Sequence, residues 1–211
     1  MAKNTITGLL VLLTICGGAF FLLHKSPEPA ERLALYASEV LGQRAGEEVA
    51  RLLGDKGQIA VLGLETTPGQ APSYVNLLAV FTKTLNARHV KVASTKFISG
   101  GLSRLMIGTG LTGDEYRQLL EQTSKMNAIV SFVGPPALSP DELQSFQANG
   151  PPLVVVDMFG AVKGPALPAM VEAKAVALAI QARSGAEVAQ QQTPPANLFD
   201  HYYKILRPPP R

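Results

Sequence analysis

Four short apolar runs decide how this chain is read: IAVLGL at Ile59–Leu64, HVKVA at His89–Ala93, AIVSFV at Ala128–Val133 and LVVVDM at Leu153–Met158. Between them lie SYVNLLAVFTKTLN (Ser73–Asn86), DEYRQLLEQTSKM (Asp114–Met126) and PDELQSFQA (Pro140–Ala148). The runs are short and rich in Val and Ile, as strands buried on both faces are. The intervening segments space their apolar residues three and four apart, as amphipathic helices do. Strands alternating with helices imply crossover connections, hence an α/β fold with an open, mainly parallel sheet flanked by helices.

Two helix starts fix the register. Thr112 with Glu115 and Ser139 with Glu142 match the capping box, in which each side chain satisfies the other residue's backbone N–H. Pro140 falls in a first turn, where the missing N–H costs nothing. These serines and glutamates are structural signals, not an active site.

Working outward, Glu31–Asp55 carries apolar residues near helical spacing and reads as one helix, with Gly42 as a point where it could break. After Asp157, MFGAVKGPALPAM (158–170) reads as a turn-rich connection and Ala175–Ile180 as a last strand. In the tail, NLFDHYYKIL (197–206) is amphipathic enough to dock on the domain, and RPPPR at the end is expected to be extended.

At the other end, ITGLLVLLTICGGAFFLL (6–23) is an uncharged run close to the ~20 residues a helix needs to cross a bilayer. Ile6, Leu9, Leu10, Leu13, Phe20, Phe21, Leu22 and Leu23 would face lipid. The run also has the shape of a secretory signal, but no small-x-small cleavage site follows it, and Ile15 disfavours lipidation at Cys16. An uncleaved, single-pass anchor in the cell membrane is expected. Such an anchor normally leaves the following domain outside the cytoplasm, here on the periplasmic side. The chain then divides into an anchor (1–25), a linker (26–31), an α/β domain (32–192) and a Pro-rich segment packing on that domain (193–211).

Composition narrows the chemistry. A net charge of +3 comes from 19 basic and 16 acidic residues that are scattered rather than striped, which argues against a nucleic-acid partner. Cys16 is the one cysteine and the three histidines lie in unrelated contexts, so no disulfide and no Cys- or His-rich metal centre is expected. No cofactor motif is present either. The segment 108–113 (GTGLTG) lacks the Lys-Ser/Thr ending of a phosphate loop, and there is no Gly-x-Ser-x-Gly elbow.

Ligands of open parallel sheets bind at the carboxyl ends of the strands. The candidates there are Glu65, Thr66, Thr67 and Gln70 after the first strand, Ser94 and Lys96 after the second, and Asp157 closing the fourth. The same residue types collect in turns for backbone reasons, and a strand-terminal cap is the commoner role for an aspartate placed like Asp157.

The run ASEVLGQRAGEEVARLLGDKGQ (37–58) feeding into IAVLGLE resembles a segment of type 1 periplasmic sugar-binding proteins. NAIVSFVGPP (127–136) and FDHYYKIL (199–206) resemble a strand and the closing segment of the same family. Those proteins close two lobes over a ligand, and this chain has length for one. Asn127 also stands where an acidic residue is usual. The resemblance therefore implies a single lobe serving as an interaction or sensory module, and no ligand residue carries over. The expected function is a noncatalytic binding or scaffold module at a membrane, an accessory subunit with a membrane-protein partner. The alternative is a small-ligand sensor or enzyme using Glu65, Lys96 and Asp157.

Overall fold

A parallel sheet is laid down in the order β2-β1-β3-β4-β5, with β6 added antiparallel at the β5 edge. The computed structural model describes residues 29–66, 71–100, 111–147, 150–158, 160, 166–184 and 197–209. In chain order the elements are α1 (Pro29–Leu53), β1 (Gly57–Leu64), α2 (Pro72–Ala87), β2 (Val90–Ile98), α3 (Gly113–Thr123) and β3 (Ala128–Ser131). They continue with α4 (Pro140–Gln147), β4 (Leu153–Asp157), α5 (Ala166–Glu172), β5 (Leu178–Ala182), α6 (Leu198–Tyr202) and β6 (Tyr203–Leu206). The chain divides into two units, Met1–Ala34 and Leu35–Arg211, and every contact below belongs to the second. The transmembrane helix expected over 6–23 lies outside the described residues. Among the described residues no helix is long and apolar enough to cross a membrane.

The direction of each crossover assigns the helices to faces. The β1-to-β2 connection runs one way across the sheet and the later ones run the other. With right-handed crossovers, α2 covers one face and α3, α4 and α5 the opposite one. α1 joins α2, and glycine is what lets the two helices approach. A Cβ on Gly42 would sit 2.6 Å from the Leu77 carbonyl oxygen, and one on Gly46 would sit 2.8 Å from Thr84 Cβ. Gly42 therefore marks a helix contact, and α1 is continuous through it. Leu41, Ala45 and Val49 of α1 and Tyr74, Leu77, Phe81 and Leu85 of α2 are buried against the sheet. The Phe81 ring meets Phe132 edge-on at 5.1 Å. Tyr116, Leu119, Leu143 and Leu167 from the later helices complete the core.

Both expected capping boxes form. Thr112 Oγ1 accepts from the Glu115 N–H while the Glu115 carboxylate accepts from the Thr112 N–H. Ser139 and Glu142 do the same.

Three expectations need correction. β2 continues to Ile98, so Ser94 and Lys96 lie inside a strand rather than after it. The strand is paired throughout with β1, across a register shift at Ile59/Ala60, and its polar residues belong to a partly uncovered edge. The connection 158–170 contains the start of α5, which delays the fifth strand to Leu178–Ala182. The docking segment is a short helix that turns directly into β6, with Ala182 opposite Tyr203 and Ala179 opposite Leu206.

Candidate functional site

At the carboxyl ends of the strands, the β1 terminus is held from α2. The Leu64 N–H donates to Tyr74 Oη at 2.7 Å, and the Glu65 N–H donates to the Ile98 carbonyl at 3.1 Å. Burial pushes the Tyr74 hydroxyl pKa up to about 12, although the hydrogen bond from Leu64 opposes the rise. The strand order reverses between β1 and β3, where open α/β sheets form their ligand crevice.

The structure spreads the sequence-named residues along this rim. Glu65 is exposed and Thr66 half-buried beside it, whereas Thr67 and Gln70 lie outside the described residues. Ser94 is exposed within β2, and Lys96 is in register with Leu62. Asp157 is 4% exposed at the end of β4, opposite Gln181, and is engaged.

Register gives the side-chain directions. Gly63 and Phe97 face α2, so Lys96 points to the other face, as do Ser131, Val155 and Asp157. Lys96 and Asp157 are nevertheless three strands apart, about 14 Å at ~4.8 Å per strand. Glu65 follows Leu64 and falls on the α2 side of the alternation. The three do not converge on one group of ligand size.

A cleft of ≈ 470 Å³ opens at the opposite end, beside the amino end of β5. The second half of α1, the turn before β5 and the segment after β6 enclose it. Its apolar surface comes from Leu52, Ala177, Leu178 and Pro208, and its charged groups are Glu48, Arg51, Lys174 and Arg207. Glu48 organises the cations. Its carboxylate is 2% exposed and accepts from Arg51 Nη1 and Arg207 Nη2, both at 2.6 Å, with Arg44 Nη2 at 3.3 Å. Burial alone would raise the Glu48 pKa, but the hydrogen bonds and charges of Arg51 and Arg207 outweigh it and hold the carboxyl below its usual range.

A second hollow of ≈ 240 Å³ lies farther up α1, between Val40, Gln43, Arg44 and Glu47 on one side and Asn197, Phe199 and Asp200 on the other. Arg44 stacks over the Phe199 ring at 5.8 Å in this hollow. Among the described residues no group of three His, Cys, Asp or Glu side chains could hold a metal ion.

The cleft was not named from the sequence. Arg44, Glu48 and Arg51 stand four and three residues apart in RAGEEVAR, a spacing that reads as ordinary helix-surface pairing. No local signal brings in Arg207, which lies 159 residues from Glu48.

No protein-family model and no curated protein sequence matches the chain. Solved structures do. An ABC transporter solute-binding protein from Burkholderia graminis C4D1M, solved in complex with D-arabinose, matches 81% of this chain and 59% of its own, with 15% identity and a TM-score of 0.53. The likeness is one of fold. The arabinose-binding protein AraP from Geobacillus stearothermophilus matches 68% of this chain and 45% of its own at 16% identity, with a TM-score of 0.48. A sugar-binding protein of a Bacillus halodurans sugar ABC transporter covers the same shares at 18% identity, with a TM-score of 0.46. The resemblance of this chain to a single lobe of a periplasmic sugar-binding protein therefore holds in three dimensions. The chain spans about half the length of the solved proteins it matches.

Proposed function

We propose that this protein is a noncatalytic binding module displayed at a membrane surface, an accessory subunit tethered by the apolar run at 6–23 and held outside the cytoplasm. One observation supports the reading: the described residues share the fold of an ABC transporter solute-binding protein over 81% of this chain and 59% of that one. Open parallel sheets bind at the carboxyl ends of their strands, so the strand-end rim is the surface offered to a partner. The spacing of Lys96 and Asp157 across three strands supports a broad contact over a small catalytic pocket. D-arabinose, bound in the Burkholderia graminis structure, is expected to give no saturable signal at millimolar concentration here.

The test is to extract the full chain in mild detergent with an affinity tag and identify what elutes in fixed proportion. A membrane protein is expected, and tagging that protein should recover this chain in return. Recovery of this chain alone, in detergents that preserve other complexes of the same membrane, would overturn the proposal.

A further inference from the structure

The cleft beside Glu48 has the size and mixed lining of a ligand site, and nothing in the proposed function uses it. Its ≈ 470 Å³ falls within the range of about 300–1,000 Å³ typical of small-molecule sites. Leu52, Ala177, Leu178 and Pro208 would cover an apolar body, whereas Arg51, Lys174 and Arg207 supply charge.

The charge is in excess of what the fold consumes. Three lining cations stand against the single Glu48 carboxylate, and Arg44 supplies a fourth cation to that carboxylate from outside the cleft. A guanidinium carries five N–H donors. Among the described residues, Arg51 and Arg207 each spend one on Glu48. Because both heads are fixed on a buried carboxylate, little side-chain freedom remains to be lost when a second planar anion arrives. Lys174 sits at a left-handed turn position, φ 61°, and its ammonium group makes no ion pair among the described residues.

We propose that this cleft binds a small monocarboxylic acid carried on an apolar body, its carboxylate received by Arg51, Arg207 and Lys174. The lining selects that class. A free inorganic anion leaves the Leu52–Leu178 surface uncovered, and a neutral apolar molecule leaves the cations without a counter-charge. The site lies at the amino end of the sheet, away from the rim that a partner would cover, so it stands whether or not the membrane-partner reading does.

The probe is 4-phenylbutyrate, with 4-phenyl-1-butanol as its neutral counterpart and sulfate as the inorganic anion. The full chain is placed in lipid nanodiscs and binding is measured by equilibrium dialysis against empty nanodiscs. Saturable, one-to-one binding of the carboxylate is expected, with the alcohol and sulfate at least about tenfold weaker, the scale of one hydrogen bond to an ionised group. Lys174→Glu should weaken the carboxylate by roughly tenfold or more, with the unfolding midpoint near the parent's because the Lys174 ammonium group makes no ion pair among the described residues. Leu52→Asp, at a position 42% exposed, should abolish binding while the fold persists. The proposal is overturned if the carboxylate binds no better than to empty discs, if the alcohol binds equally well, or if Lys174→Glu leaves affinity unchanged. None of these failures bears on co-purification of a membrane partner.

Discussion

Replacing Tyr74 by Phe removes one oxygen atom and leaves the ring in place, which makes it a clean probe of the carboxyl end of β1. That oxygen accepts the Leu64 N–H at 2.7 Å, and Leu64 is 3% exposed. Without it a buried backbone donor loses its acceptor, at a cost of about 1–3 kcal/mol. For a domain of this size, about 2 kcal/mol lowers the midpoint of thermal unfolding by roughly 4–8 °C. The pH dependence supplies a second readout. The ordinary value for the hydroxyl is 10.0, and burial pushes it up to about 12 in the folded protein. A folded value above the unfolded one means stability that is complete below pH 10 and drains away as pH rises through the folded value. At ~1.4 kcal/mol per tenfold change, the parent loses about 2 kcal/mol from this group by pH 12, and the Phe variant has nothing to lose. The two proteins should therefore differ most near neutral pH and converge between pH 10 and 12, measured by circular dichroism through urea titrations. A Phe variant as stable as the parent at pH 7 would show that water reaches the Leu64 N–H. The rim would then be open at the β1–β3 reversal, and the account of how it is held would fail.

Five further perturbations test the rest. Gly42→Ala should cost about 1–3 kcal/mol by driving a methyl group against the Leu77 carbonyl, seen as a lowered unfolding midpoint. An unchanged midpoint would mean that α1 and α2 can part freely. Asp157→Ala should lose about 1 kcal/mol or more, because a carboxylate buried at a strand end persists only where its interactions offset the cost of burial. A variant at least as stable as the parent would instead mark Asp157 as a ligand group. Glu48→Gln should flatten the acid limb of stability: the depressed folded pKa gives stability that is present above the ordinary value of 4.5 and lost as pH falls through the folded one. Urea titrations from pH 6 down to pH 3 read this as a smaller loss in the variant. Finally, removal of residues before Glu31 should leave a soluble, helical domain, and protease added to spheroplasts should degrade the domain of the intact chain.

The sheet was legible where both of its faces are covered. Ile59–Leu64, Ala128–Ser131 and Leu153–Asp157 are buried along their length, so their apolar runs carry the signal that periodicity detects. At the edges the signal fails for a physical reason. β2 exposes Ser94, Thr95 and Phe97, the last at 54%, so only its start looked like a strand. β6 has four half-buried residues immediately after a helix of five, and Phe199 with Tyr203 at helical spacing masks the change of backbone. α5 was hidden by Gly164 and Pro165 just ahead of it and by Pro168 within it.

The site was less legible because parallel strands have two ends and only one of them announces itself. Reading residues after each strand finds the carboxyl rim by construction, and there it returned groups that the fold then separates or buries. The amino end is entered by helix C-termini and by the residues leading into strands, which carry no comparable rule. What makes that end chemically distinct is a single carboxylate on α1 with more cations than it can neutralise, one of them delivered by the last residues of the chain. Glu48 pairs locally with Arg44 and Arg51 in any helix of that sequence. Only after β6 runs antiparallel along β5 does Arg207 arrive beside it, and this turns a common helix-surface ion pair into one wall of a charged, apolar-floored cleft. The property therefore belongs to the closure of the fold, and residue types alone could not have revealed it.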